Sequence, residues 1–125
     1  MRAVFDTNAV IYLQKGLLRQ PLLPGEYFIS VITELELLTF HSLDATQKTW
    51  LDTFLSDIGI IELNALVKEN TVRLRREHRL RLPDAIIAAS ALSHDATLLT
   101  NDQRLLNVQG LRSQAVELTH VFGGF

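Results

Sequence analysis

The chain of 125 residues is 47% hydrophobic and 21% charged, with 12 Lys and Arg against 14 Asp and Glu, for a formal charge of −2. This composition is expected to give one globular domain spanning 1–125 with a single core. The absence of cysteine excludes disulfides and thiolate metal sites. No apolar run approaches the roughly 20 residues of a membrane span, and Met1-Arg2 leads to Asp6 without the apolar stretch of a secretory signal, so a cytoplasmic location is expected.

In chain order, Arg2 to Phe5 reads as a strand ending at Asp6, followed by a helix over Asn8 to Leu13. Gly16 to Glu26 carries Pro21, Pro24 and Gly25 and reads as a loop. Glu26 to Ile29 forms a second strand, and Ser30 is a good N-cap for a helix from Val31 to about Phe40. The spacing of Trp50, Leu51, Phe54 and Leu55 predicts a helix over Ala45 to Ser56, with a third strand at Ile58 to Leu63. Asn64 caps a helix from Ala65 to about Arg79 whose apolar stripe is Val67, Thr71, Leu74 and His78. Pro83 restricts Leu82 to an extended conformation, and Asp84 to His94 is apolar nearly all round, which predicts a buried helix. Thr97 to Thr100 reads as a strand, Asp102 to Leu106 as a helical turn, and Val116 to Leu118 as a final edge strand before a Gly123-Gly124 tail. Short β-rich runs alternating with helices predict an α/β fold with a central parallel sheet and helices on both faces.

Four carboxylates stand out: Asp6, Glu36, Asp84 and Asp102. Singly, each has an ordinary explanation. Asp6, Asp84 and Asp102 stand where helices begin and would serve as caps, and Glu36 lies within a helix where glutamates are commonly solvated. Jointly, acids gathered at one sheet edge repel one another and raise each other's pKa, so they call for a cation. A cluster of hard oxygen donors suits Mg²⁺, with Mn²⁺ as a substitute. Such ions activate water and neutralise phosphoryl charge, which points to phosphodiester hydrolysis. There is no Gly-rich phosphate loop; His41, His78, His94 and His120 are scattered without zinc spacing, and neither Ser30 nor Ser90 has an activating pattern nearby. Despite the net negative charge, six of the 12 basic residues fall between Lys68 and Arg81. Among them Lys68, Arg75, Arg76 and Arg79 form a candidate face for holding a polyanion, with a plain solvated helix surface as the alternative.

The blocks Val4-Phe5-Asp6-Thr7-Asn8, Ile29 to Leu37, Leu82-Pro83-Asp84-Ala85 and Leu98-Leu99-Thr100-Asn101-Asp102 resemble, in order and spacing, the signature of PIN-domain proteins. The nearest subgroup in size is the VapC-like toxins of type II toxin–antitoxin pairs. The resemblance implies a three-layer α/β/α sandwich and a Mg²⁺- or Mn²⁺-dependent endoribonuclease with Asp6, Glu36, Asp84 and Asp102 as its catalytic and metal-holding acids. It selects Glu36 over Glu34, and it gives Thr7, Asn8 and Thr100 supporting roles. It further implies a homodimer and a cognate antitoxin as partners. Two positions depart from the family pattern: Leu38-Thr39-Phe40 stands where a small Gly often occurs, and Arg104-Leu105-Leu106 stands after Asp102 where an aromatic is common. Two other readings stay open, a small-molecule phosphohydrolase and a catalytically silent PIN fold acting as a binding module.

Overall fold

A computed structural model describes residues 1–40 and 42–119; His41, His120 and the Gly123-Gly124 tail lie outside them. The described chain runs β1 (Arg2–Phe5), α1 (Thr7–Gln14), β2 (Glu26–Ser30), α2 (Val31–Leu38), α3 (Ala45–Asp57), β3 (Gly59–Ile61), α4 (Ala65–His78), α5 (Leu82–Ser93), β4 (Thr97–Leu99), α6 (Gln103–Leu106) and β5 (Ser113–Gln114). The strands form one parallel sheet in the order β3-β2-β1-β4-β5. This is the α/β/α sandwich expected from the sequence.

Alternation along the strands divides the core into two layers. Val4 and Leu98 point to one face, beneath α4 and α5, where Val67, Leu74 and the run Ala85 to Ala89 are buried. Ala3, Phe5, Ile29 and Leu99 point to the other, beneath α1 and α3. The alanines of α5 let its backbone lie close to α4 and the sheet, which explains why residues Ala85 to Ala91 are buried without interruption. Phe28 pairs with Gly59 across β2 and β3, and a Cβ at Gly59 would lie 2.6 Å from the Phe28 ring. That position accommodates only glycine unless the ring moves.

Local capping starts most helices where the sequence places them. Ser30, Asp44, Asn64 and Asp102 each accept a hydrogen bond from a first-turn backbone N–H. Three expectations need correction. Leu82 is not extended: it is the first residue of α5, with Arg81 as the extended N-cap (ψ 152°) and Pro83 in the first turn, where its missing N–H costs nothing. Val116 to Leu118 is not a strand. The edge strand is Ser113–Gln114, because its register with Leu98 and Leu99 satisfies the free edge of β4, while Leu118 makes only an isolated antiparallel bridge to Leu18. The third strand covers Gly59–Ile61 rather than Ile58 to Leu63, since Ile58 still closes α3 by donating its N–H to the Phe54 carbonyl. Among the described residues, no helix is long and apolar enough to cross a membrane.

Candidate active site

Strand order decides where the acids meet. The chain leaves β1 towards β2 on one side, and β4 is added on the other, so a crevice opens beyond the C-terminal ends of β1 and β4. Asp6 directly follows β1, and its N–H is held by the Leu99 carbonyl of β4 at 3.1 Å. Asp102 follows β4, Asp84 sits in the first turn of α5, and Glu36 comes from α2. All four line one cleft of about 270 Å³, together with Thr7, Asn8, Ile11, Phe40 and Ile87.

The carboxylates are held to different degrees. Asp6 is 7% exposed. Its Oδ1 accepts the Ala9 N–H at 2.8 Å, capping α1, and its Oδ2 accepts the Thr100 hydroxyl at 2.5 Å. The buried Thr100 oxygen in turn accepts the Asp102 N–H at 3.0 Å, so one hydroxyl ties two of the acids together. Asp102 Oδ1 accepts the Arg104 N–H at 2.9 Å, with the Arg104 Nε 3.7 Å away. Glu36 Oε1 accepts the Thr7 hydroxyl at 2.5 Å. Asp84 accepts no hydrogen bond among the described residues, and Arg81 rather than Asp84 occupies the N-cap of α5. The capping explanation therefore holds for Asp6 and Asp102 and fails for Asp84.

Electrostatics connects them. Burial pushes the Asp6 carboxyl above its usual range. Hydrogen bonds from Thr100 and Ala9 pull the other way, and the charges of Asp102 and Asp84 add to the rise. Asp84 is raised first by desolvation and then by Asp102, with Glu36 contributing. Arg104 and Arg81 oppose the rise. Asp84, Asp102 and Glu36 thus each enter the charge balance of another acid of the quartet.

The donors are all hard oxygens, and negative charge is costly where Asp6 and Asp84 stand, which fits a divalent cation such as Mg²⁺ or Mn²⁺. Among the described residues, no three His, Cys, Asp or Glu side chains close into a compact ligand shell. Asp6 is poorly disposed to act as a nucleophile in a phosphatase, because both its oxygens carry hydrogen bonds. Ser30 is fully buried and caps α2, and Ser90 is fully buried and donates to the Ile86 carbonyl.

Lys68, Arg75, Arg76 and Arg79 are exposed along α4 and its C-terminus, and none lines the cleft. Arg75 Nε donates to the Leu80 carbonyl at 3.2 Å across the left-handed turn at Arg79 (φ 55°). His78 is partly buried with Nε2 4.0 Å from Glu77. The cations felt by Asp84 are Arg104, which lies outside the basic stretch, and Arg81, which closes the stretch but is not among its four candidate residues. The sequence signal for Arg104 was its place two residues after Asp102. A second missed residue is Thr33, fully buried on α2, whose hydroxyl lies 3.1 Å from that of Thr7. Its spacing three residues before Glu36 put it on the same helix face.

The PIN domain family model matches residues 3–111. Among solved structures, a toxin–antitoxin complex from Klebsiella pneumoniae matches with 30% identity and a TM-score of 0.70 over 87% of this chain and 94% of that one. VapBC2 from Rickettsia felis bound to a promoter DNA fragment matches with 23% identity and a TM-score of 0.76, covering 94% of this chain and 100% of that one. DNA-bound VapBC from Salmonella typhimurium matches with 20% identity and a TM-score of 0.77, covering 92% and 98%. No curated protein sequence matches.

Proposed function

The chain belongs to the PIN domain family, and from that premise we propose that it is a metal-dependent endoribonuclease, the toxin of a type II toxin–antitoxin pair. The observation that carries this reading is the meeting of Asp6, Glu36, Asp84 and Asp102, from four separate elements, on one cleft at the β1/β4 crevice. Mg²⁺, or Mn²⁺ in its place, would be held by these acids and would supply charge neutralisation for the phosphodiester and a water of lowered pKa.

The chain's own residues account for the rest of the chemistry. Asp84, with both oxygens unengaged among the described residues, is the acid best disposed to bind the ion directly. Asp6 is fixed by α1 and Thr100 and contributes from a set direction. Asp102, tied to Asp6 through Thr100, completes the shell. Arg81 and Arg104 stand close enough to offset the acids and hold the flanking RNA phosphates. Hydrolysis would leave a 5′-phosphate and a 3′-hydroxyl. Purified protein should cut single-stranded RNA in Mn²⁺, stop on chelation, and leave ends that ligate through their 5′-phosphates. Cyclic phosphate ends, or cleavage indifferent to chelator, would overturn the reading.

An antitoxin partner is part of the same proposal. An apolar groove of about 260 Å³ between α1, α2 and α3, lined by Val10, Leu37, Trp50 and Leu51, shares Ile11 and Phe40 with the acid cleft. A partner segment lying in this groove would run directly over the acids. For a homodimer, Leu66, Val72 and Leu82 on α4 and the start of α5 offer exposed apolar area.

The two arginine sets make separable predictions. Substituting Arg81 and Arg104 together by Ala should lower the slope of log affinity against log salt for single-stranded RNA by about 1.4, which is about 0.7 per lost phosphate contact. Substituting Arg75 and Arg76 should change it less. Fluorescence anisotropy across a salt series measures both, and the reverse order would return the RNA-holding role to α4.

A further inference from the structure

We infer that Thr33 is a positioning residue for Glu36, acting through a two-hydroxyl relay that leaves one chosen carboxylate oxygen free for the cation. The inference rests on the proposed role of Glu36 at the metal and extends it to a residue outside the cleft.

Proton counting sets the direction of the relay. Ionised Glu36 only accepts, so the single Thr7 hydroxyl proton goes to Oε1 at 2.5 Å. The 3.1 Å contact between the two threonine oxygens then needs a proton from Thr33. Thr33 therefore donates to Thr7, and Thr7 donates to Glu36. A chain of aligned hydroxyls polarises along its length, so the last bond gains from the first. Oε1 is thereby committed to the protein, and Oε2 is left to face the cleft.

Thr33 is fully buried, and among the described residues its hydroxyl has no partner other than Thr7. Other buried or half-buried hydroxyls in the helices turn back on their own backbone: Thr71 to the Val67 carbonyl, Ser90 to Ile86 and Ser93 to Ala89, each at 2.7 Å. Thr33 stands in the first turn of α2, where the residue four back belongs to β2, and its hydroxyl crosses to α1 instead. The contact couples the two elements on which Thr7 and Glu36 ride. It also bears on why Glu36 rather than Glu34 enters the cleft, since Thr33 and Glu36 share one helix face and Glu34 does not line it.

Thr33→Val keeps the shape and removes the donor, and Thr33→Ser restores the donor with less volume. Mn²⁺ binding measured by calorimetry should weaken by about tenfold in Thr33→Val, a loss typical of groups that orient a metal ligand, and kcat on RNA should fall with KM unchanged. Thr33→Ser should return most of the affinity, and Glu34→Gln should bind Mn²⁺ like the wild type. In the metal-free protein, the ¹³C shift and three-bond couplings of the Thr7 side chain should report one rotamer for the wild type and averaging in Thr33→Val. Equal Mn²⁺ affinity in Thr33→Val and wild type overturns the inference, as does a Thr33→Ser defect as large as that of Thr33→Val, which would assign the effect to packing. If the wild type binds no Mn²⁺, the metal reading fails by itself. The Thr7 rotamer then decides the relay: averaging only in Thr33→Val sustains it, and an unchanged rotamer refutes it.

Discussion

Asp84→Asn should lower Mn²⁺-dependent RNA hydrolysis by more than about 100-fold while leaving the fold intact. Loss of an outer-shell partner already costs up to about that much, and a direct ligand costs more. The substitution is clean because Asp84 accepts no hydrogen bond among the described residues, so the amide disturbs no cap and orphans no donor. What it removes is charge, and charge is what a hard cation selects. Asp6→Asn should be at least as damaging but less simple to interpret. An amide NH₂ on the Oδ2 side would face the Thr100 hydroxyl, which must donate there while its oxygen keeps the Asp102 N–H. Some of that loss would come from a disturbed Asp102. The measurement is single-turnover cleavage of RNA in Mn²⁺, with circular dichroism to establish folding. A folded Asp84→Asn protein cleaving at the wild-type rate would remove the quartet as the source of activity.

The same variant should be more stable than the wild type when metal is absent, and the sign follows from the pKa directions. In the unfolded chain the Asp84 carboxyl titrates near 3.8, and in the folded protein burial and the neighbouring acids keep it protonated to higher pH. Across that interval the folded state binds more protons, so stability falls as pH rises from about 3.8 through the raised folded value, and the loss persists at neutral pH. Asn carries no such cost. The gap between Asp84→Asn and wild type should be open at pH 7 and close below the unfolded pKa. Mn²⁺ reverses the order. At a concentration about 100 times Kd it adds about 2.7 kcal/mol to the wild type, or about 8 °C in Tm at roughly 3 °C per kcal/mol for a domain of this size. Asp84→Asn should gain much less. Because binding requires ionised acids, the Mn²⁺-induced rise should shrink as pH falls into the raised range of Asp6 and Asp84. Thermal denaturation with and without Mn²⁺ at several pH values tests all of this. An Asp84→Asn protein that is less stable than the wild type at pH 7 without metal would show that the partly buried charge of Asp84 is not what strains the cleft.

Features governed by neighbours along the chain were legible. Ser30, Asn64 and Asp102 cap the helices they were expected to cap, because a cap bonds an N–H only two or three residues away. The apolar circumference of α5 announced its burial. Features set by distant partners were not. The last strand was misplaced because a two-residue edge strand has no periodicity of its own and exists only where β4 offers free backbone groups. Leu82 was misjudged because the preference against a helical residue before proline is weaker than the packing of α5 against α4. The basic run drew attention by density, yet density along a helix does not indicate which cations face a cleft built from other elements.

By itself, the sequence determined the chemistry available to this protein: no thiolate, no serine triad, and four carboxylates in blocks whose order marks a PIN domain. Those are facts of residue identity and spacing, which survive in an extended chain. The tertiary structure alone decided how the acids differ from one another. Among the described residues Asp84 is left with free oxygens, Asp6 is fully engaged, Glu36 is turned by Thr7 and Thr33, and the charges that offset Asp84 come from Arg104 and Arg81. Hydrogen bonds and Coulomb terms act over a few ångströms, and residues dozens of positions apart reach that range only after the sheet sets the order of its strands.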